Sequence, residues 1–379
     1  MRIAFVYDTS YPGTKGGVEK RVWELARRLA GRGHEVHLLV PHAWDGSARI
    51  EREGVVLRGV CRSRPLYASS GRRAVWPALV HALGVLRLLR RERFDLIDCQ
   101  IPAHLATLAA WSVARGRPQA KFVITWHEAW DQSWIEEMGL LGHVGRRVEA
   151  LVARLPGSHT AVSAHTAETL AGLGRKAEAV IPPGVEPTAV EVSPRGGAYS
   201  DILFVGRLVP TKNLGLLIDS VAALVNSGLR PKVLVVGDGP YRELWEDQVA
   251  RQGLAAMFEF AGSLETSDEL VGVLRGSRVL ALPSVREGYG MIALEAAAHG
   301  VPVVTVNHPR NAARHLVQHG VTGLCVPPTT AEFSAALQAV LEDDGLRDRL
   351  GEAARQSAGA VTWDVAVDDT EAMYQARVA

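Results

Sequence analysis

Short apolar runs alternate with helical patterns along the whole chain. In the first half the runs fall at 2–7, 35–40, 55–60, 95–99, 121–125, 159–163 and 178–181. In the second they fall at 201–205, 232–236, 258–260, 278–282, 302–305 and 323–326. Most are followed by Gly, Pro or Asp before a helical stretch begins. Continuous apolar strands between helices predict parallel sheets covered on both faces. The expected fold class is therefore α/β, with two Rossmann-like domains facing across a cleft at the carboxyl ends of their strands.

Pro/Gly punctuation marks the boundary. Ile181-Pro182-Pro183-Gly184-Val185-Glu186-Pro187, and then Ser193-Pro194-Arg195-Gly196-Gly197, read as a linker. The expected domains are residues 1–187 and 198–358. Residues 359–379 form a terminal helix, capped by Thr362 or Asp364, that packs back on the first domain. A length of 379 residues agrees with two domains rather than one.

Charge changes the picture only after the chain is cut. The whole carries 42 Lys+Arg against 41 Asp+Glu, a net of +1. Residues 1–190 hold 26 against 18, a net of +8, and residues 191–379 hold 16 against 23, a net of −7. Three cysteines, Cys61, Cys99 and Cys325, are far apart and suggest a reducing, cytoplasmic compartment. Met1-Arg2 runs straight into the first strand without a signal pattern, and no apolar run reaches the ~20 residues of a membrane span.

Three segments carry candidate chemistry. The first βα turn, Asp8 to Lys20, contains Gly16-Gly17, which lets backbone amides approach a phosphate at a helix N-terminus. A plain βα connection explains it as well, and it is neither a dinucleotide fingerprint nor a P-loop. The second segment, Val205 to Asn213, places Arg207 and Lys212 at a strand end, where a guanidinium fork and an ammonium suit a diphosphate. Solvated loop charges are the alternative. The third is Leu282 to Gly300, where a Gly-flanked turn with Glu287, Gly288, Tyr289, Gly290 and Met291 leads into an Ala-rich helix containing Glu295. Free amides at Gly290 and Met291 can face an anion, and the two carboxylates can accept from sugar and ribose hydroxyls. A glycoside-hydrolase acid/base pair, or a satisfied buried Glu, fits the same residue types.

The ordered set of motifs resembles a known family. Glu287 and Glu295, inside S-x-x-E-G-Y-G-x-x-x-L-E-A, resemble the hallmark of the retaining, nucleotide-sugar-dependent glycosyltransferases of GT-B fold, called glycosyl transferases group 1 or family four. Gly16-Gly17-Val18-Glu19, Pro183-Gly184-Val185-Glu186, Gly206-Arg207-Leu208 with Lys212, Gly237-Asp238-Gly239-Pro240, Gly320 to Leu324 and Trp363-Asp364 also resemble family motifs, across nearly the whole chain. The resemblance implies that Arg207 and Lys212 hold the donor diphosphate. It implies that Glu287, Gly288, Tyr289, Gly290 and Met291 hold the sugar and Glu295 the ribose. Gly16 and Gly17 would lie against phosphate and acceptor. His127, in Thr125-Trp126-His127-Glu128, resembles the active-site His of the first domain; on residue type alone it reads as structural.

The chain departs from the family at His308 to Val317, where a Gly pair is missing and His315 stands at the place of the usual Glu. That departure bears on the identity of the donor sugar. The resemblance implies a UDP- or GDP-linked hexose donor, transfer with retention, no catalytic metal and no cofactor. Asp343-Asp344 and Asp368-Asp369 read as solvated faces rather than metal sites.

The acceptor side is less determined. Residues 58–93 hold nine Arg and a single acid, Glu92, around an apolar stripe of Val75, Trp76, Leu79, Val80, Leu83, Leu86 and Leu89. This suits an anionic membrane surface or a lipid-linked or phosphate-bearing acceptor. The plain alternative is a core-facing helix with a solvated Arg face. No nucleic-acid recognition motif accompanies the cluster. Competing functions are a sugar-nucleotide epimerase and a non-catalytic nucleotide-sugar binder.

Overall fold

A computed structural model describes residues 1–9, 16–64, 74–186 and 200–378, with Glu137 in its backbone only. Residues 10–15 of the first turn, Arg72, Arg73, Pro187 and the Ser193–Gly197 part of the linker lie outside the described residues. The chain divides into two compact units, Met1–Gly184 with Trp363–Ala379, and Val185–Thr362.

The strands of the first unit are β1 Arg2–Val6, β2 Glu35–His42, β3 Arg49–Arg52, β4 Val55–Arg62, β5 Leu96–Ile101, β6 Lys121–Trp126, β7 Ser158–Ala161 and β8 Ala179–Val180. Its helices are α1 Gly17–Gly31, α2 Val75–Arg91, α3 His104–Ala114, α4 Ser133–Met138, α5 Gly142–Ala153 and α6 Ala164–Gly172. The sheet order is β3-β4-β2-β1-β5-β6-β7-β8. Every pairing is parallel except β3 with β4. β3 is missing from the sequence expectation, and so is the antiparallel pair it makes. Its residues, Arg49-Ile50-Glu51-Arg52, are charged and mostly exposed, as suits a sheet edge. Glu53 and Gly54 both take positive φ (51° and 76°), the two-residue turn that matches strand twist.

The second unit has β9 Ser200–Val205, β10 Val233–Val236, β11 Phe258–Gly262, β12 Ser277–Leu282, β13 Val303–Val306 and β14 Gly323–Val326. Its helices are α7 Leu214–Asn226, α8 Arg242–Arg251, α9 Ser267–Arg275, α10 Met291–Ala298, α11 Thr330–Glu342 and α12 Asp344–Ala358. The order β11-β10-β9-β12-β13-β14 is parallel throughout. Phe204, Leu217, Val221, Val235, Phe333 and Leu337 fill the core on one face, and Leu203, Leu280, Leu282 and Ala296 on the other. In each sheet the strand order reverses beside the first strand, between β1 and β5 and between β9 and β12. Ligands of open α/β sheets bind beyond the strand ends at such reversals.

The last helix, α13 Trp363–Val378, belongs to the first unit. It starts at Trp363, where a cap at Thr362 would place it, while residues 359–362 of the expected terminal segment belong to the second unit, where Val185 donates to the Val361 carbonyl (2.9 Å). Trp363 and Tyr374 are fully buried against the first unit. Arg32 pairs with Asp368 and Glu371 (both 2.6 Å), and His34 Nε2 lies 2.9 Å from Glu371.

The stripe expected on α2 does not point one way. Leu89 is buried, with His81, Ala82, Gly84 and Val85 on the inner face. Val75, Trp76, Leu79 and Leu83 are exposed, Trp76 at 60%. The inner face is set by backbone approach. A side chain at Gly84 would collide with the Val60 carbonyl of β4, so the helix rolls its smallest residues inward. The arginines of the helix itself, Arg87, Arg90 and Arg91, are exposed, whereas Arg58 on β4 pairs with Glu92, which Arg2 also holds at 2.8 Å.

Candidate functional site

In the second unit the loops after β9 and β12 flank the strand-order reversal and meet. Lys212 lies in a 3-10 turn (Pro210–Lys212) that ends at Asn213, whose φ of 52° is left-handed. Lys212 Nζ donates to Glu287 Oε1 at 2.5 Å. The pair is half-buried, with side chains 23% and 10% exposed. Arg207, on the same loop, is exposed. The Gly206–Leu208 stretch needs bare neighbours. Gly237 (φ 131°) could not carry a Cβ without striking the Gly206 carbonyl, and a Cβ on Gly239 would come within 2.5 Å of Leu208.

Gly288 and Tyr289 continue the Glu287 turn. Gly290 (φ 93°) caps α10, and a Cβ there would lie 2.5 Å from that of Ala313. α10 has no acid in its first turn, so its N-terminal amides at Met291 and Ile292 present an uncompensated positive end. Burial pushes the Tyr289 phenol up to about 12. Glu295 sits one turn into α10 and is half-buried. The structure therefore brings Lys212, Glu287 and the α10 N-terminus together, with Arg207 on the same loop as Lys212.

The divergent stretch, His308 to Val317, braces that turn through its backbone. Glu287 donates to the Arg310 carbonyl (3.0 Å) and accepts from Ala312 (2.9 Å). Fully buried Asn311 holds the stretch to β13, donating to the Val306 carbonyl at 2.9 Å. His315 is exposed. Sequence reasoning noticed what the stretch lacks, but not Asn311, which fixes it.

In the first unit Gly16 caps α1, with extended backbone (φ −151°). A side chain at Gly16 would collide with the carboxylate of Glu19, which is buried and accepts from Thr9 Oγ1 at 2.8 Å. Gly16 thus has a local reason to be glycine, and α1 carries its own carboxylate in its first turn.

His127 follows β6 and is 6% exposed. Its Nε2 lies 2.8 Å from Gln100 Oε1 at the end of β5, and its carbonyl accepts from Thr166 Oγ1 (3.3 Å). Burial, and secondarily the Arg21 guanidinium, hold its pKa well below the ordinary histidine value, so the ring is neutral at pH 7. The loop after it is pinned by Glu149, fully buried, whose two oxygens accept from the Trp130 and Asp131 amides (both 2.8 Å).

Beneath His127 lies a buried polar layer that sequence reasoning passed over. Asp98 on β5 accepts from Thr125 Oγ1 (2.8 Å) and from Tyr374 of α13 (2.5 Å). Arg21 of α1 is buried and donates to the Ile181 carbonyl (3.0 Å). The available signal was Asp98-Cys99-Gln100, two polar residues on one side of an otherwise apolar strand. Among the described residues no group of three metal-ligating side chains gathers.

Two stretches of the chain match two sequence profiles. Residues 15–189 match Glycosyltransferase Family 4, and residues 187–357 match Glycosyl transferases group 1. The chain belongs to this glycosyltransferase family. It is 28% identical over 386 residues to a phosphatidyl-myo-inositol mannosyltransferase of Mycobacterium leprae, covering 99% of this chain and 96% of the relative. It is also 28% identical to a 2-deoxystreptamine glucosyltransferase of Streptomyces kanamyceticus, covering 86% and 90%. Its fold resembles a sucrose-phosphate synthase from Thermosynechococcus elongatus, with TM-score 0.81, 19% identity and coverage of 99% and 98%. An Anabaena protein solved with UDP and glucose has TM-score 0.77, 21% identity and 99% coverage of both chains. The fold of this glycosyltransferase is accordingly GT-B, two Rossmann-like units.

Proposed function

We propose that this glycosyltransferase moves a hexose from a UDP- or GDP-linked donor to a hydroxyl acceptor, with retention at the anomeric carbon and without a metal. The observation that carries it is the Lys212–Glu287 bond beside the amino end of α10 at the strand-order reversal. Arg207 and Lys212 take the diphosphate charge. Glu287 orients Lys212 and accepts from the sugar hydroxyls, with Gly288, Tyr289, Gly290 and Met291 beside it. Glu295 takes the ribose. Gly16 and Gly17 border phosphate and acceptor, and His127, neutral, contacts the transferred sugar.

In the reaction the bond from the anomeric carbon to the diphosphate oxygen breaks and the bond to the acceptor oxygen forms on the same face. The acceptor proton passes to the leaving diphosphate. Arg207 and Lys212 stabilise the charge that develops there, and such preorganised donors are worth several kcal/mol. A thermal-shift screen of UDP-, GDP- and ADP-sugars tests the donor, since a native-state binder raises Tm. No shift with any of them overturns the reading. An epimerase would convert the sugar with no acceptor present, so incubating donor alone separates the two.

A second reading concerns the acceptor side. α2 presents exposed Val75, Trp76, Leu79 and Leu83, followed by exposed Arg87 and Arg90. The 3-10 turn before α5, and α5 itself, present Leu140, Leu141, Val144 and Leu151, with exposed Arg147 and Arg154. α3 packs against both helices. Apolar side chains interleaved with arginines suit an anionic lipid surface, and with it a lipid-linked acceptor. No described helix is long and apolar enough to cross a membrane, so the contact is peripheral. Flotation with anionic vesicles at low and high salt tests it, and no binding at low salt rejects it.

A further inference from the structure

The polar layer under His127 has a direction. Asp98 accepts from two hydroxyls, Thr125 Oγ1 at 2.8 Å and Tyr374 at 2.5 Å. Two donors converging on one group are what a carboxylate accepts. Burial, the dominant influence, raises the Asp98 pKa, and hydrogen bonds from Tyr374 and Thr125, the Arg21 guanidinium and the Gln100 amide offset part of that rise; it is the two converging hydroxyls that mark it as an acceptor. Asp98 and Gln100 are two apart on β5 and so point to the same side of the sheet.

Gln100 stands between Asp98 and His127 and is fully buried. Its Oε1 lies 2.8 Å from His127 Nε2. Its Nε2 completes no hydrogen bond of good geometry, yet lies near enough to Asp98 to favour the carboxylate. The reverse orientation would set an amide oxygen against an anion in a site without water to screen them, a large cost at low dielectric. The amide therefore keeps its nitrogen toward Asp98 and its oxygen toward His127. An acceptor at that position requires a proton on Nε2.

We propose that Asp98, acting through Gln100, is a positioning group that locks His127 as the Nε2–H tautomer, leaving Nδ1 as the ring's acceptor for a substrate hydroxyl. The terminal helix takes part, because Tyr374 is one of the two hydroxyls that hold Asp98. The charged and titratable groups around this layer are Arg21 from α1, Asp98 from β5 and Tyr374 from α13. Tyr7, at the end of β1, stands 6.5 Å from the His127 ring, centroid to centroid. The assignment rests on the reading of His127 as a site residue only for its consequence in catalysis; the tautomer can be measured without it.

The test is long-range ¹H–¹⁵N correlation on the full chain labelled with ¹⁵N-histidine, with His127 assigned by its loss in His127→Gln. The expected result at pH 7 is the Nε2–H pattern alone. An Nδ1–H pattern or an imidazolium overturns the proposal. Asp98→Asn keeps the shape and lifts the constraint on the amide, so His127 should then show mixed tautomers. An unchanged spectrum in a folded Asp98→Asn protein also overturns it. Should that variant not fold, Gln100→Leu reads the same signal. It should lose the Nε2–H preference and lower kcat on the order of ten- to a hundredfold, with KM for donor changed less than about twofold. If the spectra behave as expected but His127→Ala transfers sugar at the normal rate, the proposed role of His127 fails and the tautomer lock stands.

Discussion

The two units use the same device, a reversal of strand order beside the first strand, and furnish it differently. In the second unit the groups at the reversal come from two short loops after β9 and β12, and their charges reach solvent. Lys212 meets Glu287 there with 23% of its side chain exposed. In the first unit the groups at the end of β5 and β6 are buried, and one donor comes from Tyr374, 276 residues from its acceptor Asp98. A half-buried pair that still reaches solvent can exchange partners with an incoming anion at less cost. A buried carboxylate cannot, because losing one partner leaves a charge that water does not reach. On the proposed reading the second unit is furnished to receive charge, and the first to hold a geometry.

The largest effect should come from breaking the distant clamp. Truncation after Thr362 removes Trp363 and Tyr374, both buried, and each large aromatic removed costs about 3–5 kcal/mol. The expected outcome is loss of cooperative unfolding of the first unit, with the second unit still melting. Calorimetry checks this, and a single unchanged transition would contradict it. Next, Lys212→Ala should lower kcat by about a hundredfold or more, about 3 kcal/mol at the transition state, with Tm nearly unchanged. Steady-state kinetics that show near-normal turnover would remove Lys212 from the mechanism. Tyr374→Phe keeps the ring and removes one hydrogen bond to a buried carboxylate, and should cost about 2 kcal/mol in urea unfolding.

A pH effect of similar or smaller size separates the units further. His159 of β7 is fully buried, accepts from Trp126 Nε1 on Nδ1 (3.0 Å) and has its Nε2 3.0 Å from the Leu155 carbonyl. Burial lowers its pKa to about 4. Between about 4 and 6.5 the unfolded chain therefore binds the extra proton, and the stability present above pH 6.5 is lost as pH falls toward 4. The loss, on the order of 1–3 kcal/mol, should fall on the first unit and flatten in His159→Gln. The smallest stability effect belongs to Trp76→Ala, at 60% exposure within about 0.5 kcal/mol of neutral, although it should weaken binding to anionic vesicles. Equal vesicle binding by Trp76→Ala and the parent would free α2 of a lipid role.

Much of the fold was legible in residue order. Apolar runs such as Ile3–Val6 and Ile202–Val205 are strands because continuous hydrophobicity suits a sheet covered on both faces. The glycines of the second unit stood out in the sequence only as turn and motif positions, and their physical reasons, positive φ at Gly290 and close approach at Gly237, came from the structure. β3 was not legible, because a charged edge strand has no buried face to imprint a pattern. The exposed half of α2 was not, because periodicity gives the stripe but not which way the helix rolls, and that followed from Gly84 meeting Val60.

By itself, then, the sequence determined the parallel strands of the two sheets, the loops at their reversals and the charged residues those loops carry. These are local consequences of hydrophobic runs, glycine backbone freedom and short connections. Only the tertiary structure decided that Lys212 bonds Glu287, that Asn311 steadies the turn, and that Tyr374 closes on Asp98 beneath His127. A buried polar group takes its partner from whichever element the fold brings within about 3 Å, and that proximity is not written in any stretch of neighbouring residues.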